Sequence, residues 1–97
     1  MKRRVLFTSL LPRLIDKMRE EGYEPMLGRD GLKHKLLSLH YDGLAIDIDL
    51  TKNGVYLDDG KDHQQFGVFW EGLDPLCAWG GRFEDSNHYS IIFGGRK

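Results

Sequence analysis

Two histidines and two aspartates have the side-chain types, and the order along the chain, that a hydrolytic metal site requires. His40 and Asp47 lie near the middle of the chain, and Asp85 precedes His88 by three residues close to its end. A catalytic zinc takes three protein ligands, keeps one position open for water and works with a nearby base. His40, Asp47 and His88 are therefore the candidate ligands of one Zn²⁺ per chain, and Asp85 is the candidate general acid and base.

The elements predicted around these residues can bring them together. Residues 44–50 alternate between apolar and polar side chains, which indicates a strand with one face in the core and with Asp47 and Asp49 on the other. His40 precedes this strand by a turn, and a second alternating segment, residues 88–93, begins with the other histidine. If the two strands are neighbours in a sheet, the three ligands converge.

The remaining acidic and histidine side chains have open or ordinary roles. Asp49 either orients a metal ligand through a hydrogen bond or is simply solvated, and a regulatory second ion beside it is a further alternative. His34 and His63 have no carboxylate at a spacing that indicates a metal site. They are expected to be surface histidines, or buried ones with a hydrogen-bond partner.

The first helix is predicted to begin at the cap residue Ser9, to carry Pro12 in its first turns and to run to about Glu21, with Gly22 as its stop. Its core face consists of apolar side chains at helical spacing, which are Leu11, Leu14, Ile15 and Met18. A short strand over residues 23–27 is expected to follow.

The second half of the chain contains signals for a hairpin and a second helix. Asn53-Gly54 is typical of a two-residue turn, so residues 55–57 are predicted to pair back onto the preceding strand. Asp62 is the predicted cap of the second helix, which Asp74-Pro75 ends. Its apolar side chains at helical spacing are Phe66, Phe69, Trp70 and Leu73.

The order of these elements predicts an α+β fold in which two main helices pack on a small antiparallel sheet. Residues 28–37 are interpreted as a loop, and Gly80-Gly81 as a turn or a close approach of two backbones. With 97 residues, 40% of them apolar and 30% charged, the chain is expected to form a single domain over residues 1–97. Its one cysteine, Cys77, excludes an internal disulfide.

Charge and hydropathy narrow the classes of partner. A net charge of −1 argues against a nucleic-acid binder that depends on phosphate contacts. The basic and then apolar N-terminal residues look like the start of a secretion signal, but Pro12, Arg13 and the charges after them interrupt the apolar run before any cleavage site. We expect a soluble helix there, in a monomer without stable membrane association.

Two motifs give the chain a resemblance to a known family. The first is Ser-x-His-x-x-Gly-x-Ala-x-Asp, from Ser38 to Asp47; the second is Trp-Gly-Gly-x-Phe from Trp79, followed by Asp-x-x-His-aromatic from Asp85 to Tyr89. In this order they resemble the zinc D-Ala-D-Ala carboxypeptidases and the phage L-alanyl-D-glutamate endopeptidases, whose fold is similar to the hedgehog signalling domain. The resemblance is closest to the short phage-encoded members.

The resemblance implies roles residue by residue. It assigns the three ligand positions and the general acid/base to the same four residues that side-chain chemistry selects. It makes Ser38 either a structural hydroxyl near the first histidine or a hydroxyl that supports this histidine as a metal ligand. Trp79 and Tyr89 either line or support the cleft, or they are plain core aromatics.

The family usually carries an arginine upstream of the serine, in a segment of the type Tyr-Arg-Thr-x-Glu, which polarises the scissile carbonyl or holds the substrate. Here this segment is shortened, and Arg29, nine residues before Ser38, is the candidate for the role. Lys33 or Lys35 are alternative sources of positive charge. If none of them fills the role, zinc alone must stabilise the oxyanion, and activity is expected to be low.

The resemblance implies a zinc metallopeptidase that hydrolyses an amide bond in the stem peptides of bacterial peptidoglycan, as an endolysin-type L,D-endopeptidase or a D,D-carboxypeptidase. Three alternatives remain: a catalytically inactive, zinc-stabilised binding module, a virion component that opens the wall locally, and a dipeptidase acting on free D-Ala-D-Ala. Without a secretion signal, synthesis is expected in the bacterial cytoplasm, with action on the cell wall after release or from the virion.

Overall fold

The structure, a computed structural model that describes residues 2–27, 44–57 and 60–92, shows two α-helices and five strands within these ranges. The helices are α1 (Lys2–Glu20) and α2 (Gly60–Leu73). The strands are β1 (Glu24–Leu27), β2 (Ala45–Lys52), β3 (Val55–Leu57), β4 (Cys77–Trp79) and β5 (His88–Ile91), and a 3₁₀ helix (Gly80–Phe83) lies between β4 and β5. This is the α+β class that the sequence predicts.

The antiparallel sheet is organised around β2. One edge of β2 pairs with β1, and the other edge pairs with β5 over residues 45–47 and with β3 over residues 50–52. β4 pairs with the far edge of β5, which gives the order β1-β2-β5-β4. Because β5 and β3 share one edge of β2, the sheet forks there at Ile48 and Asp49.

The turn between β2 and β3 confirms the hairpin predicted from Asn53-Gly54. Asn53 has φ of 54° and Gly54 has φ of 79°, so both central residues of the turn are left-handed. Asparagine and glycine tolerate this conformation better than other residues, and its twist matches that of the two strands. The turn thereby fixes the register in which Lys52 opposes Val55.

The core lies between the sheet and the two helices. α1 buries one stripe of apolar residues, Phe7, Leu10, Leu14 and Met18. The Phe7 ring meets Trp70 of α2 edge to face at 5.9 Å, and Trp70 meets Tyr89 of β5 in the same way at 6.4 Å. Trp70 Nε1 also donates a hydrogen bond of 3.0 Å to the Ser90 carbonyl oxygen, so α2 is fastened to β5 by both packing and polar contact.

Both helices begin earlier than their predicted caps, and those two predictions are wrong. α1 starts at Lys2, so Pro12 lies in its interior and the Ser9 hydroxyl donates to the Val5 carbonyl oxygen at 2.8 Å. α2 starts at Gly60, and Asp62 in its first turn accepts a hydrogen bond of 2.9 Å from the Tyr23 hydroxyl. Each helix therefore extends past its local capping signal, and in α1 the first residues, 2–5, are exposed.

None of the helices in the described ranges combines the length and the apolar character needed to cross a bilayer.

Candidate metal centre

Asp47 and His88 face each other across β2 and β5. The antiparallel register pairs these two residues directly, which places their side chains on the same face of the sheet. His88 Nδ1 lies 3.3 Å from Asp47 Oδ1, and each residue is only 8% exposed. The expectation that β2 and the last strand are neighbours, and that this pairing brings aspartate and histidine together, is confirmed.

A tight turn brings Asp85 to the same place. After the 3₁₀ helix, Glu84 adopts a left-handed conformation with φ of 65°. The Asp85 amide then donates to the Gly80 carbonyl oxygen at 2.8 Å, and the His88 amide donates to the Asp85 carbonyl oxygen at 3.1 Å. As a result Asp85 Oδ2 lies 3.9 Å from His88 Nδ1, on a side chain that is 51% exposed.

Gly80 makes this turn sterically possible. A Cβ at position 80 would overlap the Asp85 carbonyl oxygen and would lie 2.7 Å from the His88 Cβ, closer than real side chains approach. The predicted close approach of backbones at Gly80-Gly81 is therefore confirmed, and it occurs against Asp85 and His88.

Trp79 holds the other side of the Asp85 turn. Its indole Nε1 donates a hydrogen bond of 2.7 Å to the Ser86 carbonyl oxygen. Its ring is buried against Gly67 of α2 and against Gly81, where a Cβ at either position would overlap the indole. Trp79 is thus a buried side chain that also supports the turn.

The three side chains form a donor set suitable for a divalent cation. One nitrogen or oxygen atom from each of Asp47, Asp85 and His88 can be chosen so that all three lie within 4.8 Å of one another. Zinc bonds of about 2.0–2.1 Å in tetrahedral geometry correspond to ligand–ligand separations of roughly 3.3 Å. The separation of 3.3 Å between His88 and Asp47 matches that value, and the 3.9 Å between His88 and Asp85 is somewhat longer. This group can hold a metal ion.

The remaining predicted members of the site fall outside the described residues. His40, Ser38 and Arg29 lie in residues 28–43, as does the predicted loop. The described part of the chain therefore contains two of the three predicted ligands, together with the predicted acid/base.

Asp49 lies at the fork of the sheet and is buried, with 7% exposure. Its Oδ1 accepts hydrogen bonds from Asn87 Nδ2 at 3.3 Å and from the Tyr56 hydroxyl at 3.5 Å. Among the described residues its hydrogen bonds therefore go to the two segments that flank the fork. Asn87 and Tyr56 were not selected from the sequence, because their positions depend on a strand pairing that no local pattern reveals.

His63 is buried, with 3% exposure. Of the two expectations for this residue, a surface histidine or a buried one with a hydrogen-bond partner, the structure shows the second. Its Nδ1 lies 2.6 Å from the hydroxyl of Tyr89, which is fully buried on the helix-facing side of the sheet. Burial lowers the pKa of His63 to about 4, against the opposing effect of the Asp49 and Asp62 carboxylates. Its spacing from Phe66 and Trp70 at helical period was the available signal that this histidine faces inward.

The depressed pKa of His63 predicts an acid-sensitive fold. An unfolded histidine titrates near 6.5, whereas His63 in the folded protein titrates near 4. Between these values the unfolded chain binds a proton that the folded chain does not. Stability contributed by neutral His63 is therefore complete above pH 6.5, falls as the pH decreases, and is lost below about 4. The loss approaches about 3 kcal/mol.

Urea unfolding of the wild type and of His63→Gln, followed between pH 7.5 and 4 under identical metal conditions, measures this effect. The slope of unfolding free energy against pH should be steeper in the wild type, because glutamine does not titrate. Parallel slopes for the two proteins would show that His63 is protonated with an ordinary pKa in the fold.

Comparison of the chain with family models, with curated proteins and with solved structures gives no match in any of the three.

Proposed function

We propose that this protein is a zinc metallopeptidase that hydrolyses an amide bond in the stem peptides of bacterial peptidoglycan. The observation that carries the proposal is the buried Asp47–His88 pair on neighbouring strands, with the Asp85 carboxylate beside it. The resemblance of the two sequence motifs to zinc carboxypeptidases and phage endopeptidases supplies the substrate class.

In this proposal Asp47 and His88 hold the ion, and His40 is the third ligand. Their near-complete burial keeps water away from the bonding atoms of both described ligands. A carboxylate and imidazoles leave a zinc ion Lewis-acidic, so that it would supply both an activated water and a charge that stabilises the developing oxyanion.

Asp85 has the position of a proton carrier rather than of a buried ligand. Its side chain is 51% exposed. Its Oδ2 lies 3.9 Å from His88 Nδ1, whereas the Oδ1 of Asp47 lies 3.3 Å from the same nitrogen. It would accept a proton from the attacking water and return it to the departing amine. The turn from Gly80 to His88 fixes this carboxylate against the metal ligands, so the proton would travel a short and constant path.

A polar cavity of about 220 Å³ opens beside Asp85 and is large enough for part of a peptide. It is open to the surface, which favours a polymeric substrate over a free dipeptide. The site would meet its substrate after release of the protein from the bacterial cytoplasm, or from a virion.

The proposal is tested by metal analysis together with turnover. The purified protein is expected to hold about one zinc per chain, and to release new amino groups from peptidoglycan. Removal of the metal with a chelator should abolish this release, and added zinc should restore it. Stoichiometric zinc with no cleavage of any stem peptide would instead favour the zinc-stabilised binding module. This second candidate is kept because the sequence shortens the segment in which the resembled family carries its arginine.

A further inference from the structure

One long side of α1 carries an apolar strip with an arginine near each end. A shallow depression follows the helix there, and all of the residues that line it belong to α1. Because they recur every three or four positions, they share one side of the helix. We call this surface the α1 strip, and its main residues are Arg4, Thr8, Leu11, Pro12, Ile15 and Arg19. Within the described ranges no second element lines the depression, so the strip is an open surface rather than a groove between two elements.

The strip is apolar without being part of the core. Leu11 and Ile15 are half-buried at the margin of the core, and Pro12 is exposed. Val5 lies seven positions before Pro12, hence on the same side of the helix, and is 62% exposed. A single exposed apolar side chain is ordinary, but several in a row along one side of a helix indicate a binding surface.

The helix that carries the strip is basic, although the chain as a whole is not. Six basic and two acidic side chains give α1 a net charge of +4, whereas the whole chain has a net charge of −1. Along the strip itself Arg4 and Arg19 outnumber Asp16, the one acidic side chain that lines its margin. The charge of the helix is therefore complementary to an anionic partner.

The two arginines of the strip are available to such a partner. Arg3, on another side of α1, is engaged, because its Nε donates a hydrogen bond of 3.0 Å to the Ile92 carbonyl oxygen. Arg4 and Arg19 have no hydrogen bond or ion pair with any residue that the structure describes, and both are exposed. Their stems can lie along the apolar strip while each guanidinium group reaches outward to a phosphate.

Pro12 places a hydrogen-bond acceptor in the middle of the strip. Proline has no backbone N–H, so the Thr8 carbonyl oxygen, one turn earlier, loses the donor that an ordinary helical residue would supply. Covering this oxygen with a dry protein surface is costly. In the headgroup layer of a bilayer, water stays within reach of it. The strip is therefore better suited to a lipid surface than to a dry groove in another protein.

We propose that the α1 strip is a docking surface for an anionic lipid bilayer, on which α1 lies in the plane of the interface. With 19 residues the helix is about 28 Å long, and only two arginines and a few apolar side chains contact the lipid, so binding is weak and reversible. Tyr89 faces the helices, so its neighbour His88 points to the opposite face of the sheet, and docking through α1 leaves the Asp47–His88 pair uncovered. The inference does not depend on the proposed peptidase function.

Sedimentation with lipid vesicles tests the proposal. The purified chain is mixed at low salt with vesicles of phosphatidylcholine alone, or of phosphatidylcholine and phosphatidylglycerol in equal parts. Each arginine near an anionic surface is worth roughly fivefold in partition, so the anionic vesicles should bind the protein at least about tenfold better than the neutral ones. Physiological salt should reduce this preference, because it screens charges beyond about 8 Å.

Matched variants locate the contact on the helix. Arg19→Gln should lower partition onto anionic vesicles about fivefold, whereas Arg13→Gln, an equal loss of charge at an exposed position on another side of α1, should change it much less. Val5→Ser should lower partition roughly fourfold, the value of one buried methylene. Val68→Ser is its control, on α2 and 56% exposed, and should behave as the wild type does.

Three results would overturn the proposal. The first is no sedimentation of the wild type with anionic vesicles at low salt, or equal sedimentation with neutral ones. The second is an equal loss in Arg13→Gln and Arg19→Gln, which would reveal a diffuse attraction to the whole helix. The third comes from polyaspartate, a soluble polyanion without an apolar phase: if it displaces the protein at the same concentration of negative charge, the strip binds acidic polymers rather than a bilayer. None of these measurements requires zinc or turnover.

Discussion

Replacement of Asp85 by asparagine is expected to abolish turnover and to leave the metal in place. Asparagine has the same shape but can neither accept nor return a proton, and loss of a general acid/base commonly costs about 10²- to 10⁴-fold in rate. The metal should remain because Asp47 and His88, the buried pair at 3.3 Å, are unchanged. Zinc content by mass spectrometry and amine release from peptidoglycan measure the two properties separately.

His88→Ala is the companion variant and is expected to lose both properties. It removes the imidazole that lies closest to the Asp47 carboxylate, and it leaves a set of ligands too small for tight zinc binding. Asp16→Asn on the exposed surface of α1 serves as a control, which should keep full zinc and full rate. If Asp85→Asn lost its zinc, Asp85 would be a ligand and the proton carrier would have to be sought elsewhere. Undiminished turnover in that variant would remove the acid/base role altogether.

Gly67→Ala is expected to destabilise the protein strongly, although alanine is the better helix former. A Cβ at position 67 in α2 would overlap the indole of Trp79. This ring cannot move away, because Gly81 abuts it just as closely and its Nε1 is bonded to the Ser86 carbonyl oxygen. Overpacking of this kind costs about 3 kcal/mol, more than the roughly 1 kcal/mol that alanine gains over glycine in a helix.

Gly72→Ala in the same helix is the matched control with the opposite expected sign. A Cβ there meets nothing within 4 Å, so the variant should gain about 1 kcal/mol from helix propensity alone. Urea unfolding of the two variants and the wild type measures the difference. A Gly67→Ala protein as stable as the wild type would show that Trp79 packs elsewhere and does not support the Asp85 turn.

Sequence reasoning succeeded where a local pattern and the tertiary structure agree. The alternation in residues 44–50 identified β2, and Asn53-Gly54 identified the hairpin that fixes its register. Sequence reasoning brought Asp47 and His88 together only on the condition that their strands are neighbours, and the structure meets that condition. The spacing of Asp85 from His88 likewise anticipated a turn that brings both to one place.

Sequence reasoning failed where a distant contact outweighs a local preference. Ser9 and Asp62 are good capping residues, yet neither begins its helix. The Ser9 hydroxyl bonds to the Val5 carbonyl oxygen within α1, and Asp62 bonds to the Tyr23 hydroxyl. Helical spacing indicated that His63 faces inward, but it did not reveal the hydrogen-bond partner, Tyr89, which lies 26 positions further along the chain. The polar cavity at the fork of the sheet depends on how β3 and β5 share one edge of β2, which no segment encodes alone.

The pairing of residue 47 with residue 88 has a consequence for biosynthesis. These ligands are separated by 41 positions, and β5 is among the last described elements to leave the ribosome. A nascent chain therefore cannot form the contact between Asp47 and His88 until β5 has emerged. Capture of an ion by this pair would then coincide with closure of the sheet rather than precede it.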